Sequence, residues 1–264
     1  MTIGRKLETL LLERTRRCNL KCDLCYKGDS EKVDMLPEVY DEVFEYFNTV
    51  LSVNDHGGEP QLVKNPELLT NSVIRNKLKL HRFAAVSNGT FYNKDYFAPL
   101  KELYDYIIAN KFNQKGLSPV GISLSWDPIH DKEFARIGLT LKKRQELVEQ
   151  MKSDNPWLDI EDRSEALRIM LEQNKKAVVG IYNIGRAREN NIVPGTTKMG
   201  VDPLNAKWLP SYDKKNDIIK GRLAINPFGD ITNPVQDYNS QRRQVYGNIL
   251  KQPLEQYVAE NIIE

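Results

Sequence analysis

Short apolar segments of strand length alternate with longer segments of helical periodicity along most of this chain. Leu7 to Glu13 (LETLLLE) is apolar enough for a buried strand, whereas residues 37–50, opening with Pro37, repeat apolar side chains at helical spacing. This alternation predicts an α/β fold with a mainly parallel sheet, closed into a full or partial barrel. The predicted strands are 7–13, 51–54, 82–86, 120–126 and 177–183, and the predicted helices are 37–50, 66–79, 94–110, 131–152 and 161–175.

The pattern changes in two places. No strand is recognisable between residues 153 and 176, which leaves open whether the barrel is complete or short by one βα unit. After Pro194 the chain is rich in Pro, Gly, Asn, Asp and Lys, which predicts irregular loop over 194–221. Residues 222–233 predict a hairpin and 248–263 a closing helix. We therefore predict a barrel over residues 1–193 and a small hairpin-plus-helix extension over 194–264.

Charge and hydropathy exclude several functional classes. The chain carries 38 Lys and Arg against 36 Asp and Glu, a balance that argues against nucleic-acid binding because phosphate neutralisation needs a concentrated basic excess. No stretch approaches the roughly 18 apolar residues of a membrane span. The first residues, MTIGRK, lack the apolar segment of a signal peptide. We expect a cytoplasmic protein that is not inserted in a membrane.

The unusual motifs all follow predicted strands. In parallel α/β folds the chemistry lies beyond the carboxyl ends of the strands, so the position of these motifs predicts one functional site. They are the cysteine segment after the first strand, Gly57-Gly58-Glu59-Pro60 after the second, Ser87-Asn88 after the third, Asp127 after the fourth and Arg186 after the last.

The three cysteines of the chain, Cys18, Cys22 and Cys25, lie within eight residues. An odd number of clustered thiols is not a disulfide framework, and soft thiolates at this spacing indicate a metal site. They can bind three irons of a [4Fe–4S] cluster and leave the fourth iron open. They can also bind structural zinc, for which the fourth ligand would be His56, His81, His130 or a carboxylate.

The CX3CX2C spacing at the end of a first strand, followed by Gly-Gly-Glu-Pro after the second, resembles the radical S-adenosylmethionine (SAM) superfamily over residues 7–190. The resemblance implies a partial (β/α)6-type barrel in which Cys18, Cys22 and Cys25 ligate a [4Fe–4S] cluster. It also implies that SAM chelates the open iron and is cleaved to a 5′-deoxyadenosyl radical that abstracts a substrate hydrogen. Such oxidoreductase or lyase chemistry needs a reducing partner such as flavodoxin or ferredoxin.

The resemblance also implies a SAM site. Gly57 and Gly58 lack a Cβ and allow a ligand to approach the backbone, and carbonyls of this motif would accept hydrogen bonds from the SAM ammonium group. Polar side chains at the strand ends would bind the ribose or the carboxylate, although Ser and Asp there also cap helices. The family's aromatic residue before the third cysteine is replaced by Leu24. The SAM-binding candidates are Tyr26, Gly57, Gly58, Glu59, Ser87, Asn88, Ser123, Asp127 and Arg186.

The predicted extension resembles the SPASM or twitch region of peptide-modifying family members. LAINPFGDI (223–231) and YGNI (246–249) carry the resemblance, but no cysteine is present, so counting excludes an auxiliary cluster. The expected substrate is a peptide or protein side chain. Two alternatives stay open: a radical SAM enzyme acting on a nucleoside or small heterocycle, and a zinc-binding structural or regulatory module without radical chemistry.

Overall fold

The protein is described by a computed structural model that covers residues 5–23, 25, 27–125, 130–162, 209–233 and 244–263. The described part is an α/β fold built on one sheet. Its strands are β1 (Lys6–Leu12), β2 (Thr49–Asp55), β3 (Lys79–Leu80), β4 (Phe83–Ser87), β5 (Val120–Leu124), β6 (Asp159–Asp162), β7 (Ser211–Asp213), β8 (Ile218–Ile225), β9 (Asp230–Thr232) and β10 (Val245–Asn248). Its α-helices are α1 (Pro37–Tyr46), α2 (Glu67–Arg75), α3 (Lys94–Ala109), α4 (Asp131–Arg136), α5 (Leu141–Asp154) and α6 (Leu254–Val258).

The strands run in the order β10-β9-β8-β1-β2-β4-β5-β6, with β3 beside β2 and β7 beside β8. Seven of them are joined by parallel pairings: β8, β1, β2, β3, β4, β5 and β6. The pairing places Leu10 opposite Val53, and Val53 opposite Phe83. The prediction of a mainly parallel α/β sheet is confirmed, and the carboxyl ends of β1, β2, β4 and β5 meet at one edge.

Strand β6 lies between residues 153 and 176, where the sequence pattern shows no strand. It pairs with β5 inside the segment where no strand was recognisable, and Glu161 and Asp162 belong to it rather than to the predicted helix 161–175. The pattern missed it because its four residues, DIED, include three carboxylates and no apolar run. The rest of that predicted helix and the predicted strand 177–183 lie outside the described residues.

One face of the sheet packs on helices and forms the main core. Val39, Val43 and Phe44 of α1 are buried, as are Leu100 and Leu103 of α3. Pro37 occupies the first turn of α1, where a missing N–H costs no hydrogen bond. The opposite face of the sheet is left for the site.

The predicted helix 131–152 is two helices, α4 and α5. Gly138 adopts φ +70° between them, a left-handed conformation that glycine adopts without steric cost and that commonly follows a helix end. Thr140 then caps α5, and its side chain accepts a hydrogen bond from the Lys143 N–H. Within the described ranges, every helix is too short or too polar to cross a lipid bilayer.

The carboxyl-terminal residues join the same sheet. The predicted hairpin is confirmed by the antiparallel pairing of β8 and β9, but the prediction of irregular loop is wrong for β7 and for the first part of β8. The turn between β7 and β8, KKND, is so polar that the sequence pattern predicted loop over the adjoining strand residues as well. The closing helix starts later than predicted, because Asn248 still belongs to β10, and it ends in a π-helical turn, Ala259–Ile263. The division at residues 193 and 194 stays a prediction.

Candidate functional site

The cysteine segment leaves β1 and surrounds a cavity of about 300 Å³ at the carboxyl edge of the sheet. The three cysteines are not joined by disulfides, and all three line this cavity; Cys22 is buried, and Cys18 and Cys25 are half-buried. The other wall residues come from the ends of β2, β4 and β5 and from the start of α4. The predicted convergence of the strand-end motifs is therefore observed for the described part of the chain.

The backbone before Cys18 is held on both sides. On one side it runs against the returning chain: the Arg16 N–H donates to the Val33 carbonyl at 2.9 Å, and the Met35 N–H donates to the Arg14 carbonyl at 2.8 Å. The Cys18 N–H also donates to the Ser30 hydroxyl at 2.8 Å. The first cysteine is thus fixed to a two-stranded arrangement rather than to an open loop.

The other side of this backbone is the Gly57-Gly58-Glu59 segment. The Gly58 N–H donates to the Thr15 carbonyl and the Glu59 N–H donates to the Arg17 carbonyl, both at 2.6 Å. A Cβ at Gly57 would lie 2.1 Å from the Thr15 oxygen, and one at Gly58 would lie 2.2 Å from the Arg17 oxygen. The expected close approach is therefore made by the chain's own backbone, and the binding of SAM by these glycines stays a prediction.

Glu59 fastens the second strand end to the third. Its buried carboxylate accepts hydrogen bonds from the Ser87 hydroxyl at 2.8 Å and from the Asn88 N–H at 2.7 Å. Burial raises the pKa of Glu59 to about 7. Since both carboxylate oxygens are engaged within the protein, its observed contacts are structural.

The Ser87 hydroxyl makes all of its hydrogen bonds within the protein. Its hydroxyl donates to Glu59 and accepts from the Gln61 side-chain amide and the Gly89 N–H, both at 3.1 Å. A hydroxyl has one donor and two acceptor positions, and all are occupied. In this structure the hydroxyl joins the turns that carry Glu59, Gln61 and Gly89, and the binding of SAM by Ser87 stays a prediction.

Asn88 lies between the third strand end and the first cysteine. Its side-chain Nδ2 is 3.9 Å from the Cys18 sulfur and donates to the Asn19 side chain at 2.9 Å. Its Oδ1 accepts from the Thr90 hydroxyl at 2.7 Å. The observed partners of this amide are thus the cysteine segment and its own turn.

Buried charges lie beneath the cavity. Glu13 forms ion pairs with Arg16 at 2.6 Å and Lys27 at 3.0 Å, and all three side chains are buried. Burial opposes ionisation of Glu13, but the charges of Lys27 and Arg16 outweigh it and lower its pKa. Glu13 and Lys27 are not among the residues predicted for the site. The only sequence signal for either of them is that Lys27 lies two residues after the last cysteine.

His56 was considered only as an alternative zinc ligand, yet it lines the cavity beside Gly57. Burial, reinforced by the charge of Lys27, lowers its pKa to about 3, so its imidazole is neutral at physiological pH. Within the described residues its Nε2 is buried and has no hydrogen-bond partner. His130 also lines the cavity, whereas His81 does not.

On β5, the buried Ile122 and Leu124 face the helices, so Ser123 and Ser125 face the opposite side. Ser125 lines the cavity, while the Ser123 hydroxyl donates to Glu161 of β6 at 3.3 Å. Ser123 therefore lies deeper in the sheet than the cavity wall. Tyr26, Asp127 and Arg186 lie outside the described residues, so their role in SAM binding stays a prediction.

The donor set suits a polynuclear group. Three thiols from one loop line the cavity, together with the buried cations of Arg16 and Lys27. The buried Nε2 of His56, also in the wall, has no hydrogen-bond partner among the described residues. No three Cys, His, Asp or Glu side chains among the described residues converge on a point that would hold a single metal ion. Three cysteines on one loop beside a cavity supply the ligand type and number that a [4Fe–4S] cluster with one open iron needs.

Comparison with known proteins gives a fold but no close relative. No protein-family model matches the chain, and no curated protein matches its sequence. Among solved structures, anSMEcpe with bound AdoMet and a Cp18Cys peptide matches with a TM-score of 0.54 at 15% identity, covering 97% of this chain and 81% of the other. SuiB of Streptococcus suis bound to its precursor peptide SuiA matches with a TM-score of 0.50 at 14% identity, covering 97% of this chain and 64% of SuiB.

Both of these proteins are radical SAM enzymes. The chain has the radical SAM fold. BtrN in complex with AdoMet and 2-DOIA also matches, with a TM-score of 0.49 at 15% identity, covering 95% of this chain and 81% of BtrN.

Proposed function

We propose that this chain is a radical SAM enzyme that binds one [4Fe–4S] cluster through Cys18, Cys22 and Cys25. The observation that carries the proposal is the cavity at the carboxyl edge of the sheet, where all three thiols meet the ends of β2 and β4. When bound, the cluster supplies an electron to SAM, whose C–S bond breaks to give a 5′-deoxyadenosyl radical that abstracts a substrate hydrogen.

The chain's own residues prepare this site. The positive charges of Arg16 and Lys27 favour the thiolate forms of nearby cysteines and offset negative charge in the cavity. Both sides of the backbone that leads to Cys18 are fixed by hydrogen bonds, so the ligands need little reorganisation on binding. With only three cysteines in the chain, there are no thiols for an auxiliary cluster.

SAM would occupy the rest of the cavity. Carbonyl oxygens of the Gly57-Gly58 segment would accept from its ammonium group, and Ser125 and the His56 Nε2 offer further polar contacts in the wall. Tyr26, Asp127 and Arg186 are the proposed partners of its adenine, ribose and carboxylate. Neutral His56 suits this position, because its imidazole adds no further positive charge beside the sulfonium group.

The proposed substrate is a peptide or protein side chain. The support is the likeness to anSMEcpe and SuiB, whose structures contain a bound peptide and a precursor peptide, together with the cysteine-free hairpin whose strand β8 pairs with β1. The proposed electron donor is a low-potential protein such as flavodoxin or ferredoxin. Incubation with a peptide encoded beside the gene, followed by mass spectrometry of the peptide, tests the substrate class.

Anaerobic reconstitution with iron and sulfide tests the enzyme itself. We expect a brown protein with about four irons that forms 5′-deoxyadenosine from SAM and dithionite. Cys22→Ala removes one ligand and abolishes both the colour and the 5′-deoxyadenosine. Lys32→Gln, on the exposed returning chain beside the loop, is the matched control and retains both. Cleavage of SAM by the Cys22→Ala protein would show that the ligand set is wrong.

A structural zinc site is the second candidate, and one observation favours it. His56 and His130 both line the thiol cavity, so a fourth ligand of the usual type is close to the cysteines. Metal analysis separates the two functions: one tightly bound zinc in a colourless protein, lost in His56→Ala or His130→Ala, would replace the radical enzyme. Retention of iron and sulfide in both variants would remove the zinc alternative.

A further inference from the structure

Asn88 connects its own turn to two other sequence motifs through its backbone N–H and its side-chain amide. Its backbone N–H donates to Glu59 of the Gly-Gly-Glu segment at 2.7 Å. Its side chain contacts Cys18 and Asn19 of the cysteine segment. The residue is buried in the cavity wall, so these contacts form away from bulk water.

The orientation of this amide is determined by its neighbours. The Thr90 backbone N–H, which can only donate, donates to Oδ1 of Asn88 at 3.1 Å. Oδ1 therefore faces Thr90, and the NH2 group must face the cysteine segment. One of its two hydrogens is taken by the Asn19 Oδ1 at 2.9 Å.

The second hydrogen is directed at sulfur. The Nδ2 of Asn88 and the Sγ of Cys18 are 3.9 Å apart, at the long end of the range for a hydrogen bond to sulfur. Hydrogen bonds to metal-bound thiolates draw negative charge away from the sulfur and are one of the means by which proteins set cluster potentials. A donor held from three directions has little freedom to turn away.

We propose that Asn88 is a positioning residue that donates a hydrogen bond to the Cys18 thiolate and raises the reduction potential of the cluster bound there. The proposal rests on the proposed function, since it requires an iron–sulfur cluster on Cys18. The expected contact between Asn88 and SAM stays a separate prediction. Through the Asn88 N–H, the buried Glu59 holds this donor in place.

The expected effect follows from electrostatics. The reduced cluster carries one more negative charge than the oxidised cluster, so a donor to sulfur stabilises the reduced form more. Loss of one such hydrogen bond should decrease the ratio of reduced to oxidised cluster at a fixed potential by roughly three- to tenfold.

The test is a redox titration of the reconstituted protein, followed by electron paramagnetic resonance of the reduced cluster without SAM. Asn88→Ala removes the donor, and Asn88→Asp keeps the volume and the acceptor for Thr90 while removing the donor. Both should make the midpoint potential more negative, and the aspartate, which adds negative charge, should do so at least as strongly. Asn19→Ala is the matched control, because it removes the other partner of the amide and leaves the donor to sulfur.

The results distinguish a failure of the proposed function from a failure of the proposed role of Asn88. A wild-type protein that assembles no cluster overturns this inference together with the proposed function. A cluster with unchanged midpoint potential in Asn88→Ala or Asn88→Asp overturns this inference alone, because a merely structural residue would decrease the iron content without moving the potential. If Asn88→Ala does not fold, Asn88→Asp decides. A shift of equal size in Asn19→Ala would also contradict the assignment.

Discussion

Strand β1 has two parallel neighbours, β2 and β8, and the residues that follow these two strands make different contacts with the cysteine segment. On the β2 side the backbone contact continues past the strand end, where Gly57 and Gly58 lie too close to residues 15–17 for any Cβ. On the β8 side the chain turns away into the hairpin. There, the Glu13 N–H donates to the Ile225 carbonyl at 3.0 Å, and the Phe228 ring lies 5.3 Å from the Arg16 guanidinium.

We call the Gly57-Gly58-Glu59 segment after β2 the β2 flank, and the hairpin after β8 the β8 flank. The difference indicates which of the two positions the site residues. The β2 flank fixes the backbone that presents Cys18, whereas the β8 flank covers the buried charges below it with a half-exposed ring and a strand. Within the residues that the structure describes, the carboxyl-terminal hairpin therefore packs beside Glu13 and Arg16 without lining the cavity. Substitutions on the β2 flank and in the charges between the flanks should destroy the site, while those at the hairpin tip should be mild.

The strongest test concerns the charges shared by both flanks. Glu13→Gln leaves buried Lys27 without its partner carboxylate, and we expect the free energy of unfolding to decrease by about 3 to 5 kcal/mol. Urea denaturation measures it. The control Glu149→Gln removes an exposed pair with Lys152 and should cost about 0.5 kcal/mol or less. Equal costs for the two variants would mean that the buried charges do not support the loop.

The β2 flank is tested by adding one carbon. Gly58→Ala places a Cβ against the Arg17 carbonyl, and we expect a loss of about 3 kcal/mol in unfolding free energy together with loss of cluster assembly. Gly138→Ala is the control: its Cβ would meet nothing within 4 Å, so only the cost of its positive φ, about 1 kcal/mol, remains. A stable Gly58→Ala protein with normal iron content would contradict the close contact.

The pH dependence of stability tests Glu59. Its folded-state pKa of about 7 lies above the ordinary value of 4.5, so between these values the folded protein binds more protons than the unfolded chain. The free energy of unfolding should fall by about 2 kcal/mol from pH 5 to pH 7 and then level off. The difference between wild type and Glu59→Gln, measured by urea denaturation across this range, isolates the contribution. A difference that stays constant or grows with pH would refute it.

The smallest effect is expected at the hairpin tip. Phe228→Ala removes the ring above Arg16, and we expect a cost of about 1 kcal/mol with retained cluster assembly. Phe228→Leu keeps apolar volume without the ring and separates the cation–π contribution from packing. Loss of the cluster in either variant would make the β8 flank as important as the β2 flank and would reverse the comparison.

Much of this arrangement could be predicted from the sequence. The parallel sheet, the hairpin of residues 222–233 and the meeting of Cys18, Gly57 and Asn88 at one edge follow from local periodicity and from the rule that strand ends share an edge. Strand β6 could not be predicted, because its acidic sequence carries no apolar alternation. The saturation of Ser87 could not be predicted either, since Glu59, Gln61 and Gly89 meet it only after folding.

Local sequence determined which ligands the protein has and where along the chain they stand, because thiol spacing, glycine pairs and strand periodicity are properties of neighbouring residues. Only the tertiary structure decided what each of them touches. It turned the two glycines toward the backbone of residues 15–17, placed β8 beside β1, and aimed the Asn88 amide at Cys18. These are contacts between segments far apart in sequence, and a one-dimensional pattern does not encode the distance between them.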